Sequence, residues 1–354
     1  MKRLSTILAL GAAVLLLAGV YVGFLYYGEN VRAPGERVEI KVLPGAYLSD
    51  VQRMLAEERL LAHPRLFRWV AVITGKDKRV QAGRYVFLRG TSVANMLNKL
   101  ARAEFEITRL VVPEGFMLRE IADVVERELE VDSTQFHRLA MNPDFARELG
   151  INAPTLEGYL FPDTYNLSWP ITSREVLRLM VQRFKDVYGE HIALYAKSTG
   201  LSTNEIVTLA SIVEAEAQRS SEMPRIAAVY YNRMRKGIRL EADPTVAYAL
   251  GGVRRPLRYS DLRVDSPYNT YRAKGLPPGP IASPGRAALE AAVRPLEGCS
   301  DLYFVADGSG YHLFSRTHDD HVKAKRFVRA ARDTISNAKP AAAKEPDADA
   351  GATP

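Results

Sequence analysis

The 354-residue chain reads as an α+β protein with three parts in series: an N-terminal transmembrane helix, a small β-α-α-β module and a larger mixed helical/β domain. Three observations predict this. An uncharged apolar run extends from Leu4 to about Tyr27. Short alternating segments then bracket helical spacings up to about residue 108. From residue 109 helical patterns dominate, until an Asp-Gly pair separates two alternating runs near the C-terminal end. A composition of 47% hydrophobic and 25% charged residues excludes a disordered chain. Cys299, the one cysteine, excludes an intrachain disulfide, cysteine-based zinc sites and iron–sulfur clusters. A net charge of +7 is thin for this length, and no basic stripe with interleaved aromatics appears, so nucleic acid is not an expected partner.

Lys2 and Arg3 precede the apolar run, which exceeds twenty residues and can cross a hydrocarbon core of about 30 Å. Tyr21, Tyr26 and Tyr27 stand at its far end, where an interfacial aromatic belt belongs. A cleaved signal peptide is the competing reading. The run is longer than the usual apolar region of about 7–15 residues, and no small-x-small cleavage site follows it. The expectation is therefore a single-pass anchor in the inner (plasma) membrane, with a cytoplasmic N-terminus and the rest periplasmic or extracytoplasmic. The boundaries expected are 1–28 for the anchor, 29–37 for a Pro-Gly linker, 38–108 for the small module, 109–336 for the large domain and 337–354 for a disordered tail rich in Ala, Pro, Lys and Asp.

Val38-Glu-Ile-Lys-Val alternates as a strand, and Pro44-Gly45 marks a turn. Leu48, Val51, Met54 and Leu55 recur at helical spacing. Gly83 to Leu88 reads as a strand, and Gly90-Thr-Ser precedes a helix holding Val93, Met96, Leu97 and Leu100. The segment Val112-Pro-Glu-Gly115 to Ile121 repeats the pattern of Val42-Leu-Pro-Gly45 to Val51. Together, residues 38–108 resemble LysM modules, small β-α-α-β folds that grip N-acetylglucosamine-containing glycans. Further helices are expected over Leu118–Leu129, Ser173–Tyr188, from Ser202, over Gly285–Val293 and over His318–Ile335.

The helix after Ser202 carries the most chemistry. Ser202-Thr-Asn-Glu205 has the form of a capping box, and Ile206 to Val213 is apolar except for Thr208 and Ser211. Such a helix is buried, so Glu214 and Glu216 at its end need a reason. At 100° per residue the core direction falls near Ala210, Val213 and Ala217, with one glutamate about 80° to each side. The two point apart, and only one enters a given cleft. A glutamate walled by Val and Ala loses hydration, which raises its pKa and suits a general acid. The plainer alternative for Glu214 is an ion pair with Arg225 or Arg233.

Other polar clusters sit in turn-rich segments: Glu157 to Tyr165, Asp243-Pro-Thr245, Tyr268-Asn269-Thr270-Tyr271 and Gly275-Leu-Pro-Pro-Gly279. Aromatics mixed with Asn, Thr and carboxylates suit sugar rings. Each also has a plain structural reading, with Asp243-Pro244 and Ser283-Pro284 as a helix cap followed by Pro. His318-Asp-Asp-His321, with His312 nearby, has no recognised metal motif around it and fits a helix start.

These segments, with Ala210-Ser-Ile-Val-Glu214-Ala-Glu216 and Tyr303-Phe-Val-Ala-Asp307, resemble the YceG-like endolytic murein transglycosylases in order and spacing. The resemblance implies a peptidoglycan lytic transglycosylase in which Glu214 is catalytic. Glu157, Tyr165, Asp243, Tyr268, Asn269, Thr270 and Tyr271 are the candidates for binding glycan, and no metal or cofactor is implied. It further implies cleavage between N-acetylmuramic acid and N-acetylglucosamine within nascent strands, leaving 1,6-anhydro ends and limiting strand length. The implied partners are peptidoglycan strands and, beside the membrane, glycan synthases such as penicillin-binding proteins. Ala215 and Glu241 depart from the family pattern, where Lys or Arg and Gln are frequent. Two other readings stay open. One is a lysozyme-like muramidase whose second carboxylate comes from Glu157, Asp163 or Asp243. The other is a non-catalytic glycan-binding scaffold.

Overall fold

The computed structural model describes residues 2–28, 36–78 and 80–338. Residues 29–35 of the expected linker and the tail beyond 338 lie outside the described residues. The chain forms two compact units. One comprises Met1–Val111, Ala122–Phe136 and Thr164–Val176; the other comprises Val112–Ile121, His137–Asp163 and Leu177–Pro354. The chain thus alternates between units more than once, where the sequence suggests a single boundary near residue 108.

The first unit begins with α1 (Lys2–Tyr27), whose segment Thr6–Tyr27 is long and apolar enough to cross a membrane. Then follow β1 (Arg37–Val42), α2 (Leu48–Glu57), α3 (Pro64–Ile73), β2 (Gly83–Leu88), α4 (Val93–Ala101) and β3 (Ile107–Val111). β1 and β2 pair antiparallel, with Arg37 opposite Leu88 and Val42 opposite Gly83. Alternation turns Val38, Ile40 and Val42 to the same core as Tyr85 and Phe87. Leu48, Val51 and Leu55 of α2, Phe67 and Ala71 of α3, and Val93, Met96, Leu97 and Leu100 of α4 close it. Each large side chain so buried contributes about 1.5–3 kcal/mol. The order β1-α2-α3-β2 is β-α-α-β. The outward face of α3 is apolar too: Trp69, Val72 and Ile73 are all exposed. What starts α3 is Pro64 at its first turn.

Next come α5 (Leu118–Leu129), α6 (Ser133–Ala140), α7 (Pro143–Glu148) and β4 (Thr164–Ser168). β4 pairs antiparallel with β3, Val111 opposite Thr164. Tyr165 is therefore a strand residue opposite Leu110, not part of a turn.

The remaining elements are α8 (Ser173–Val187), α9 (Ala193–Thr199), α10 (Thr203–Glu216), α11 (Met223–Arg235), α12 (Asp243–Ala249), α13 (Arg286–Val293), β5 (Tyr303–Ala306), β6 (His312–Ser315) and α14 (His318–Ala338). α10 is the centre of the second unit, with α11, α12 and α13 packed around it. Ile206 to Val213 are all buried. Ser202 caps it as expected: its hydroxyl accepts from the Glu205 amide, and the Glu205 carboxylate accepts from the Ser202 amide at 2.8 Å.

Three local expectations are corrected. Ala242, not Asp243, is the N-cap of α12; Asp243 is its first residue, and its Oδ1 accepts from the Tyr271 hydroxyl at 2.6 Å. Gly285, not Ser283, is the N-cap of α13, because the backbone of Ser283 is tied to residues 115 and 116 instead. The β5–β6 connection runs from Ala306 to His312 and is longer than a two-residue turn. Asp307 shapes it by accepting from the Ser309 amide at 2.7 Å.

Replacing Leu55, fully buried in the first unit's core, by Ala should cost about 2–5 kcal/mol. Chemical denaturation of the purified chain, read as a lowered midpoint, checks this.

Candidate active site

The last turn of α10 separates its two carboxyl groups, as the helical angle requires. Glu214 is half-buried, and its Oε2 accepts a hydrogen bond from the Gly285 amide at 2.9 Å. Glu216 turns elsewhere and accepts from the Tyr230 hydroxyl at 2.9 Å.

The Gly285 amide is presented by a loop fastened to α10. Asn204 Nδ2 donates to the Pro278 carbonyl at 3.1 Å, and Ser211 Oγ accepts from the Ile281 amide at 3.0 Å. Asn204 and Ser211 of this otherwise apolar helix thus hold the loop at Pro278 and Ile281. A second loop is laced to the first by backbone: Gly115 N donates to Ser283 O at 2.9 Å, and Ser283 N donates to Phe116 O at 2.8 Å. Gly115 has φ +76°, a left-handed conformation that favours glycine. The lacing brings Glu114 against Gly285 so closely that a side chain at position 285 would collide with the Glu114 carboxyl.

Three influences act on the Glu214 carboxyl. Burial raises its pKa most, the Gly285 hydrogen bond lowers it, and the like charge of Glu114 raises it again. The net direction is upward. Among the described residues no cation opposes this. Arg225 pairs with Asp301 at 2.7 Å. Arg233 pairs with Glu241 at 3.2 Å and donates to the carbonyls of Arg239, Leu240 and Leu302. The ion-pair alternative for Glu214 is therefore absent among the described residues, and Glu241 has a partner of its own.

The other sequence candidates scatter. Glu157 is buried; its Oε1 accepts from the Leu118 amide at 2.9 Å and its Oε2 from the Tyr248 hydroxyl at 3.3 Å. Burial pushes its pKa up to about 7. Tyr268 packs its ring 4.8 Å from that of Tyr248. Asn269 is fully buried, with Nδ2 on the carbonyls of Leu262 and Val264 and Oδ1 on the Tyr271 amide. Thr270 Oγ1 accepts from the Ala242 amide and lies 2.9 Å from Thr245 Oγ1. Asn269 and Thr270 therefore use their polar atoms to build the chain segment that carries Tyr271. Tyr165 lies on β4 in the other unit. His318 and His321 both pack on the Tyr303 ring.

Glu216, Asp243 and Tyr271 line a cavity of about 420 Å³, walled by Tyr303 and Phe304. Burial pushes Glu216 up to about 7. Sequence reasoning misses Glu114 because its contact with Gly285 joins segments far apart in the chain. Its place beside Gly115 in the Val112-Pro-Glu-Gly115 segment is the available signal.

Residues 40–327 match the YceG-like family, and the chain belongs to it. It is 32% identical over 327 residues to a Bacillus subtilis protein named endolytic murein transglycosylase, covering 86% of this chain and 89% of that one. A Streptococcus pneumoniae protein of the same name is 27% identical over 346 residues; the match covers 87% of this chain and 62% of the longer relative. The crystal structure of a YceG-like protein from Listeria monocytogenes aligns with TM-score 0.57 and 29% identity, over 82% of this chain and 99% of that one.

The raised pKa of Glu157 has a sign that can be tested. The unfolded side chain ionises near about 4.3. Between that value and about 7 the folded state holds a proton that the unfolded state has lost, so stability falls as pH rises through this window. Glu157→Gln should remove that part of the slope, as read from denaturation midpoints across the same range.

Proposed function

We propose that this chain is a membrane-anchored lytic transglycosylase that cuts peptidoglycan strands internally, with Glu214 serving in turn as acid and base. The observation that carries this is Glu214 itself. It is a half-buried carboxyl raised in pKa, held by one backbone amide, with no cation on it among the described residues. The names of the relatives support the substrate class.

The chemistry follows from those constraints. Glu214 in its protonated form gives its proton to the glycosidic oxygen between N-acetylmuramic acid and N-acetylglucosamine as that bond breaks. The carboxylate so formed is stabilised by the Gly285 amide at the N-terminus of α13. It then takes the proton of the muramoyl C6 hydroxyl, whose oxygen closes onto C1. The product carries a 1,6-anhydro end, no water is consumed, and Glu214 is again protonated. A single carboxyl suffices because the internal hydroxyl replaces activated water. Anchoring through α1 keeps the enzyme beside the membrane, where new strands and membrane-bound glycan synthases are found.

Glu114 keeps a second reading in view. A carboxylate beside the acid is what a hydrolase uses to activate water or attack C1. The three second carboxylates expected from the sequence have partners elsewhere: Glu157 on Leu118 and Tyr248, Asp163 on Arg183, Asp243 on Tyr271. Mass spectrometry of digested glycan separates the readings, since hydrolysis adds one water, about 18 Da, to the new end. The expected product is the anhydro form.

Glu214→Gln should lower the rate about 10²–10⁴-fold while leaving the fold intact. A variant that still forms anhydro ends at full rate contradicts the assignment. Because the acid must be protonated, kcat/KM should fall as pH rises through the pKa of Glu214. Glu114→Gln removes the like charge, lowers that pKa and should move the fall to lower pH.

A further inference from the structure

α3 presents two apolar faces, and among the described residues only one has a partner. Phe67 and Ala71 are buried in the core of the first unit. On the opposite side Trp69, Val72 and Ile73 are 71%, 56% and 71% exposed. At 100° per residue these three fall within an arc of about 100°. Arg65 falls on the same stripe and Arg68 on its flank, both exposed. Lys76 and Lys78 follow the helix, and Asp77 is the only acidic residue from Pro64 to Lys78.

The place of this face in the first unit narrows its occupant. Tyr26, at the outer end of α1, packs against the core of the same unit, and α1 contacts α4. Lys76, three residues beyond α3, donates to the Tyr26 hydroxyl at 3.5 Å. The C-terminal end of α3 is thus tied to the point where α1 ends. An apolar stripe containing Trp, edged by Arg and Lys, is the composition of a helix that lies in a bilayer interface. Trp is favoured at that depth, and the basic residues complement anionic headgroups.

We propose that α3 docks on the surface of an anionic phospholipid bilayer, with Trp69, Val72 and Ile73 inserted at the headgroup–acyl boundary. This rests on the reading of α1 as an uncleaved membrane anchor. The two together fix the first unit against the lipid at two points, which limits how far the chain can swing from the membrane.

The test uses the full chain reconstituted in vesicles containing phosphatidylglycerol. Trp169→Phe leaves Trp69 as the single tryptophan. Co-flotation with vesicles reads the anchor, and quenching of Trp69 by lipids brominated near the glycerol end of the acyl chain reads α3. The expected result is flotation with emission reduced by about half or more, as insertion to about 5–10 Å requires. Exchanging phosphatidylglycerol for phosphatidylcholine should weaken the quenching without loss of flotation. Flotation with unquenched Trp69 overturns the proposal while leaving the anchor standing. Trp69 shielded in a concentration-dependent way, without bromolipid quenching, also overturns it and makes the face a contact between copies. Loss of flotation refutes the anchor reading and, with it, this proposal.

Discussion

The hydrogen bond from the Gly285 amide to Glu214 Oε2 is the contact around which the second unit is arranged. It requires a backbone amide to approach the end of a buried helix, and that requirement spreads outward. A side chain at position 285 would displace the Glu114 carboxyl that lies against it. The loop before it is stiffened by prolines and pinned to α10 through Asn204 and Ser211. The facing loop turns at Gly115 with φ +76° and is bound to Ser283 in both directions. The Asn204 amide and Ser211 hydroxyl, which look out of place in an apolar helix, hold the loop before Gly285, while the Thr208 hydroxyl donates to the Asn204 carbonyl of its own helix.

The same contact sets the electrostatic balance. An amide at a helix N-terminus favours the carboxylate, by about 0.3–1 kcal/mol for an exposed pair and more when partly buried. Burial and the neighbouring Glu114 oppose it, and they prevail. The result serves both halves of the proposed reaction. The raised pKa keeps the proton on the group to higher pH than on an ordinary glutamate, and the anion made by giving it up has one good donor in place. An arginine at the same position would hold the group ionised and disable it as an acid. Arg225 and Arg233, the candidates considered for such a pair, are instead tied to Asp301, Glu241 and main-chain carbonyls.

Local signals were legible in the amino-acid sequence, and long-range ones were not. The start of α10 is written in Ser202 and Glu205, and the divergence of Glu214 from Glu216 follows from helical geometry. The amphipathic period places α5 at Leu118–Leu129. By contrast, the partner of Glu214 lies 71 residues away in a Pro-rich loop, and nothing in that loop announces an amide donor. Glu114 is hidden for the same reason. Ser283-Pro284 and Asp243-Pro244 have the form of helix caps, yet tertiary hydrogen bonds to Gly115, Phe116 and Tyr271 shift both helix starts. Asn269 and Thr270 look like sugar-binding groups by residue type, and burial turns them into loop supports.

The central claim is that Glu214 holds its proton more tightly than an ordinary glutamate before any glycan binds. Titration of the ligand-free chain by carboxyl ¹³C NMR, with the Glu214 signal assigned by its loss in Glu214→Gln, measures this directly. The account predicts a midpoint clearly above the ordinary value of about 4.3. A midpoint at or below that value would show that the Gly285 amide outweighs burial and Glu114, and would contradict the account.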